Sequence, residues 1–324
     1  MRDTVAIPAG KTETEIEVGD RRVRLSNLSK AFWPDRGITK GDLLRYYADV
    51  APLLVPHLRD RAMVMKRYPN GAAGEFFFMK RTPPNRPEWL RTCTISHRSG
   101  NRIDFPIVDD LASLLWVVNL GCIDLNQWYS RCDDTDRPDF LHFDLDPVEG
   151  TPFPVVRESA LLVRAGLQAL GMTPFAKTSG SKGIHVYVAI ERGPLQKDVW
   201  RFAKAFAGSL ERLYPDVITA EYTIAKRPSG RVLVDYNQNA WGRTLASIYS
   251  VRPRPMATVS TPVDWDEIAH GCTIDDFRLD NVRERLAERG DGWARLLEPA
   301  GRFSLETLFE PAAKPKSKRK RNES

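Results

Sequence analysis

Cysteine is scarce in this sequence. The 324-residue chain has four, Cys93, Cys122, Cys132 and Cys272, and no C-x-x-C pair among them. A disulfide framework or a structural zinc site is therefore not expected, and a reducing, cytoplasmic setting fits. Long apolar runs are also missing. None approaches the ~20 residues of a membrane span, and Met1 to Lys11 lacks the apolar core of a secretory signal. No internal repeat is present. Net charge is nearly absent from the body of the chain. Of the formal +6, the segment from Pro311 onward holds +5 (Lys314, Lys316, Lys318, Arg319, Lys320 and Arg321 against Glu323), which leaves +1 for the rest. A polyanion must then be met by local clusters such as Lys66-Arg67, Lys80-Arg81, Lys226-Arg227 and Arg252-Pro253-Arg254.

What is present is an ordinary globular composition, 42% hydrophobic and 10% aromatic, enough for one large domain. Strand and helix patterns mix without strict alternation, which predicts a mixed α/β (α+β) fold instead of a doubly wound parallel sheet. A hairpin is expected around Gly19-Asp20. A helix capped by Thr39 should stop near Pro52. Further helices are expected after Asp109 or Asp110, over 155–170 and over 195–213, with strands at 62–67, 122–128, 139–145, 173–178, 184–190, 217–222, 231–234 and 247–251. The remainder reads as mostly helical to about Leu308. The basic, proline-containing tail 311–324 cannot bury a core and should be disordered.

Three motifs carry chemistry. In Leu141-His142-Phe143-Asp144-Leu145-Asp146-Pro147, strand alternation puts His142, Asp144 and Asp146 on one face and the leucines and Phe143 on the other. The two carboxylates would lie roughly 6–7 Å apart, close enough to share a pair of divalent cations. Alone, such a pair reads more readily as two solvated aspartates. Thr178-Ser179-Gly180-Ser181-Lys182-Gly183-Ile184-His185 joins two strands. Its glycines allow a tight turn whose amides can face an anion, with Ser179 and Lys182 as further donors and His185 pointing back at the loop. It is not a Walker loop, because the G-x-x-x-x-G-K spacing is absent and a strand follows it. In Arg231-Val232-Leu233-Val234-Asp235 a strand again delivers an aspartate at its end. Carboxylates from neighbouring strands are what two-metal phosphoryl transfer requires. Phe76-Phe77-Phe78 has two readings, a buried strand or an outward platform on which bases stack, flanked by phosphate-binding lysines.

The order D-x-D, then S-G-x-K-G-x-H, then a strand ending in Asp resembles the archaeo-eukaryotic primase superfamily. More narrowly it resembles the polymerase domain of the bacterial non-homologous end-joining ligase, ligase D, and its stand-alone actinobacterial relatives. Leu25-Ser26-Asn27-Leu28-Ser29-Lys30, Gly37-Ile38-Thr39-Lys40-Gly41, the phenylalanine run and Tyr249-Ser250-Val251-Arg252-Pro253 add to the match. The resemblance implies a primase-polymerase catalytic domain over 1–310, with two mostly antiparallel sheets flanked by helices around a central cleft. It implies that Asp144, Asp146 and Asp235 are catalytic and bind two metals, Mn2+ or Mg2+. Ser179, Lys182, Gly183, His185, Gln238 and Arg252 would contact the nucleotide. Asn126 stands where many relatives carry a histidine near the sugar. Arg227 matches a phosphate-binding arginine, in a stretch one residue longer than the common pattern. Asn27, Lys30 and Lys40 match the grip on the 5′-phosphate of a downstream strand, and Lys66, Phe77 and Phe78 match template contacts.

The implied function is template-directed primer extension and short-gap filling in end joining, with ribonucleotides preferred over deoxynucleotides. The implied partners are gapped or broken DNA bearing a 5′-phosphate, nucleoside triphosphates, Ku and a separate DNA ligase, in the cytoplasm at the nucleoid and with no membrane. A metal-dependent nuclease and a non-catalytic DNA-end binding module are the rival readings of the same residues.

Overall fold

The computed structural model describes residues 5–97 and 99–309. The tail 311–324, expected to be disordered, lies outside the described residues. Hairpin β1 (Thr14–Val18) and β2 (Arg21–Leu25) forms as expected, turning at Gly19 with a φ of 59°. Short strands β3 (Ala31–Trp33) and β4 (Ile38–Thr39) pair next. Thr39 then caps α1 (Lys40–Leu58) through a reciprocal capping box with Asp42. The expected stop at Pro52 does not occur, and the helix runs through Pro52 and Pro56 to Leu58. An interior proline costs roughly 3 kcal/mol. Leu54 and Leu58 are fully buried beyond the first of them, and a buried leucine contributes about 1.5–3 kcal/mol.

Strand β5 (Met63–Arg67) follows, then β6 (Phe77–Met79). Hairpin β7 (Thr92–Ser96) and β8 (Arg102–Pro106) had no counterpart in the sequence reading. Helix α2 (Leu111–Asn119) is capped by Asp110 and Ser113, and it leads into β9 (Cys122–Gln127). Strand β5 lies between β6 and β9 in a three-stranded antiparallel sheet.

The small pair β10 (Ser130–Arg131) and β11 (Asp134–Pro138) leads into β12 (Phe140–Pro147), α3 (Phe153–Ala169), β13 (Pro174–Thr178), β14 (Ile184–Ala189), α4 (Gln196–Leu213), β15 (Ile218–Thr219), β16 (Val232–Asp235) and β17 (Pro262–Val263). These strands build a six-stranded sheet in the order β15-β16-β12-β14-β13-β17. Its pairings are antiparallel except β15 with β16. Leu141, Phe143 and Leu145 are buried on the helix-covered face, where Phe143 meets Phe206 of α4 at 5.0 Å between ring centroids. Among the described residues, two antiparallel-rich sheets thus stand as expected, accompanied by four two-stranded pairs.

Two expectations fail in the C-terminal third. The strand expected over 247–251 is only an isolated bridge between Val251 and Val259. Tyr249 adopts a left-handed φ of 55°, which breaks any extended run. The mostly helical remainder is helical only in short pieces, α5 (Trp265–His270), α6 (Val282–Arg289) and α7 (Ala294–Leu297). Side-chain pins hold this segment where regular structure does not. Asp291 accepts from Tyr249 Oη at 2.9 Å and pairs with His57 Nε2 of α1 at 2.7 Å. No described helix is long and apolar enough to cross a membrane.

Candidate active site

Strand register builds the site. Asp144 on β12 stands directly opposite Asp235 on β16 and opposite His185 on β14. His185 in turn stands opposite Lys177 on β13. Directly paired residues share a face, with strands about 4.8 Å apart. One row across four adjacent strands therefore reads Asp235, Asp144, His185, Lys177, and Asp146 lies one pleat further along β12 on the same face.

The row is joined by polar contacts. His185 Nε2 lies 3.3 Å from Asp144 Oδ1, and its Nδ1 lies 2.7 Å from Lys177 Nζ. Lys182 Nζ lies 3.3 Å from Asp146 Oδ1. Asp235 accepts the Asn237 amide at 2.8 Å and Gln238 Nε2 at 2.9 Å. Burial pushes Asp144 up to about 6, against the pull of Lys177, Arg252 and Lys182. Burial raises Asp146 as well, and repulsion from Asp144 adds to it. Asp235 is raised by burial, with Asp144 adding and Gln238 opposing.

Among the described residues, no three His, Cys, Asp or Glu side chains form a ready-made metal cage. The donor set still fits hard divalent cations. Three carboxylates share a desolvated face, each destabilised in its charged form, and incoming positive charge relieves all three. Magnesium in particular is usually held by one or two carboxylates completed by substrate phosphates, not by an all-protein cage.

A cleft of about 490 Å³ opens over this face. Asp144, Asp146, His185, Ser179, Lys182 and Gly183 line it, as do Asn126, Gln238 and Arg252. Asp235 is not among its walls and is linked to it through Gln238. The loop between β13 and β14 departs from the sequence reading in one respect. The amides of Ser181, Lys182 and Gly183 converge at 2.9–3.2 Å on Ser179 Oγ, not on an open anion site. Arg252 Nη1 donates to the Ser179 carbonyl at 2.5 Å, and Arg254 donates to Ser181 Oγ. The loop is thus pre-shaped by its own side chains. The exposed Lys182 ammonium and the Ser179 hydroxyl hydrogen remain for an anion.

Two residues that the sequence reading missed organise these side chains. Buried Asp124 on β9 lies 2.9 Å from Arg252 Nε and 3.6 Å from Lys66 Nζ. Lys177 is wholly buried and bonds His185 from behind. An aspartate and a lysine inside apolar strands were the available signal, since neither charge is buried without a partner. Arg227 donates to the Glu221 and Tyr222 carbonyls, and its charge reaches Asp146 and Asp235. Asn126 Nδ2 donates to the Asp124 carbonyl at 3.1 Å.

The phenylalanine run faces outward. Phe76, Phe77 and Phe78 are 50%, 45% and 60% exposed, which removes the buried-strand reading. Lys66 sits 4.1 Å from the Phe76 ring centroid and 5.8 Å from that of Phe78, and Arg67 sits 5.1 Å from that of Phe77. Phe78 also lines the cleft.

Asn27, with a φ of 55°, and Lys30 are exposed at a turn closed by the Lys30 amide and the Asn27 carbonyl at 3.0 Å. Lys40 is buried and spends its ammonium on the Ser26 carbonyl at 2.6 Å and Asn119 Oδ1 at 2.8 Å. Burial, then repulsion from Lys30 and Arg67, brings it down to about 8. An anion bound between these cations would relieve that repulsion.

Residues 39–293 match the family model for the LigD primase-polymerase domain. The chain is 36% identical over 272 residues to the multifunctional non-homologous end joining protein LigD of Mycolicibacterium smegmatis, covering 83% of this chain and 35% of that protein. It is 28% identical over 270 residues to the bifunctional LigD of Bacillus subtilis, covering 83% of this chain and 43% of that protein. The chain thus spans about a third of the length of the mycobacterial relatives it matches. Its structure resembles the polymerase domain of Mycobacterium tuberculosis ligase D in complex with DNA, with a TM-score of 0.81 and 32% identity over 86% of this chain and 99% of that one.

Proposed function

The chain belongs to the LigD primase-polymerase family, and from that membership we propose that residues 1–310 form a DNA-dependent nucleotidyltransferase that extends primers and fills short gaps during end joining. The observation that carries this reading is the cleft that gathers Asp144, Asp146, His185, Lys182 and Arg252, with Asp235 in strand register beside Asp144 and joined to the cleft through Gln238. Carboxylates and cations in one cleft suit a triphosphate whose α-phosphate is attacked in line.

Asp144, Asp146 and Asp235 would hold two divalent cations, Mn2+ or Mg2+, which when bound lower the pKa of the attacking hydroxyl and neutralise the departing pyrophosphate. The protein's own groups do the rest. Lys182 and the Ser179 hydroxyl donate to triphosphate oxygens. Arg252 is held by Asp124, so it presents its charge without reorganising. Gln238 fixes Asp235. Asn126 lines the cleft, oriented by one Nδ2–H bond to the Asp124 carbonyl, and its Oδ1 would accept from a sugar hydroxyl, as a preference for ribonucleotides requires. Phe77 and Phe78 would stack on template bases, with Arg67 beside the first ring, Lys66 beside the second, and Arg227 near the acid cluster. Lys30, Asn27 and the Lys40-braced turn would meet a downstream 5′-phosphate. The end-joining role requires a protein such as Ku to hold the ends and a ligase to seal the filled gap. That work would take place on DNA in the bacterial cytoplasm, at the nucleoid.

The test is a labelled primer on a gapped duplex with Mn2+ or Mg2+, given ribo- or deoxynucleotides, with and without the 5′-phosphate. Lengthening that requires nucleotides, favours ribonucleotides and increases with the phosphate is expected. Shortening without nucleotides would establish the rival nuclease. DNA binding with no nucleotide-metal binding would establish a non-catalytic end-binding module.

A further inference from the structure

Lys177 is a fully buried lysine on a β-strand, and none of its partners is a carboxylate. Its Nζ makes three contacts: the Ala246 carbonyl at 2.9 Å, Ser260 Oγ at 2.6 Å and His185 Nδ1 at 2.7 Å. Ser260 Oγ donates its hydrogen to the Thr178 carbonyl at 2.8 Å, so toward Lys177 it can only accept. The Ala246 carbonyl can only accept as well. Two N–H bonds are thereby assigned, and the third contact decides the state of the pair. Either an ammonium donates its third N–H to a bare His185 Nδ1, or a neutral amine accepts from Nδ1–H.

The other ring nitrogen separates the two cases. His185 Nε2 faces Asp144 Oδ1 at 3.3 Å. With the proton on Nδ1 of a neutral ring, a bare Nε2 lone pair would confront a carboxylate oxygen, and with both ring nitrogens protonated the shared proton would sit on the weaker base of the pair, an imidazole at about 6.5 against an amine at about 10.4. With Nδ1 bare, Nε2–H donates to Asp144. We propose that Lys177 is a positioning residue: its ammonium donates to His185 Nδ1 and so holds His185 as the Nε2–H tautomer, a fixed donor aimed at Asp144 and the cleft. Histidines that work beside a metal or phosphate are commonly set by whatever bonds their second nitrogen. Here the setting group is a lysine instead of the usual carbonyl or carboxylate. Burying an ammonium without a counter-ion is costly, and a leucine or methionine would fill the same space in the strand without that cost, so packing alone does not account for a lysine here. The benefit to nucleotide binding rests on the polymerase reading, whereas the tautomer does not.

The experiment is ¹⁵N NMR of the histidine side chains in the full chain near neutral pH, with the His185 signals assigned by their loss in His185→Gln. Wild type should display a protonated Nε2 and a bare, hydrogen-bonded Nδ1. Lys177→Met should move the Nδ1 signal to that of a bare nitrogen with no donor, and lower nucleotide affinity about tenfold while DNA affinity is kept. A wild-type Nδ1–H tautomer or imidazolium would overturn the proposal, as would an Nδ1 signal indifferent to Lys177→Met. Should Lys177→Met fail to fold, the wild-type spectrum decides alone. Failure of the polymerase reading would appear separately, as wild type unable to extend a primer.

Discussion

Gly183 passes so close to Leu145 that a Cβ on the glycine would lie 2.3 Å from the leucine's carbonyl oxygen and 3.7 Å from Asp144 Oδ1. Both partners at the short contact are backbone, so no side-chain rotation relieves it. The glycine therefore sets how closely the loop after Ser179 approaches the aspartate strand. Gly183→Ala should cost roughly 1–3 kcal/mol of folding stability and weaken nucleotide binding about tenfold, equivalent to about 1.4 kcal/mol. Urea melts and a nucleotide titration check this, and wild-type values in both would contradict so close an approach.

The aromatic platform gives the opposite pattern. Phe77 and Phe78 are about half exposed, so truncating either should leave stability within about ±0.5 kcal/mol. Affinity for single-stranded or template DNA should drop by roughly 1–3 kcal/mol for each ring. Fluorescence anisotropy at fixed salt beside thermal melts separates the two effects. A stability loss with unchanged DNA affinity would mean that the rings pack instead of stack.

How much of this was legible beforehand depended on whether the information was local. Asp144 and Asp146 share a face because strand periodicity is two, and that is read directly from Phe140 to Pro147. Thr39 and Asp110 cap their helices because a capping box spans four residues. The Phe76–Phe78 run left two readings open, since exposure is decided by what the rest of the chain does or does not lay over it. Lys177 and Asp124 escaped notice because their partners, His185 and Arg252, are fixed by register and by a loop 128 residues away. Pro52 misled because its cost is local while the burial of Leu54 and Leu58 is tertiary. Strand 247–251 misled because a left-handed Tyr249 is set by its pins to Tyr46 and Asp291.

Acid sensitivity should concentrate at Asp139. This carboxylate is 1% exposed and faces Arg61, also 1% exposed, at 2.7 Å and Arg131 at 3.0 Å. Burial opposes its ionisation, yet Arg61, then Arg131 and Arg302, hold it below the usual aspartate value. A carboxylate depressed by folding contributes stability that is complete above its unfolded pKa of about 3.9. That contribution is lost as pH falls through the lower folded value. Urea denaturation should therefore lose stability below about pH 4. Asp139→Asn should remove much of that slope and cost about 3–5 kcal/mol at neutral pH, because Arg61 is left buried and unpaired. An unchanged acid profile in the variant would assign the loss to other carboxylates.

Lys30 and Lys40 should separate by role. Lys30 is exposed, with its ammonium 3.0 Å from Asn70 Oδ1, whereas Lys40 braces Ser26 and Asn119 from within. Lys30→Ala should abolish discrimination between DNA with and without a 5′-phosphate and reduce the salt slope of binding by about 1, with no loss of stability. Lys40→Ala should lower stability as well as phosphate recognition. Binding isotherms over a salt series, paired with melts, distinguish them, and phosphate discrimination that survives Lys30→Ala would place the 5′-phosphate elsewhere.

If the carboxylate row performs nucleotidyl transfer, the reaction depends on its charge and not only on its shape. Asp144→Asn removes one charge and keeps the shape, so the sheet and the platform should stand. The decisive measurement is single-turnover primer extension by Asp144→Asn beside wild type, in Mn2+, with DNA affinity measured on the same preparations. Wild type should extend the primer with release of pyrophosphate, and the variant should lose extension while it retains DNA binding. Extension by the variant at the wild-type rate would contradict that dependence on charge.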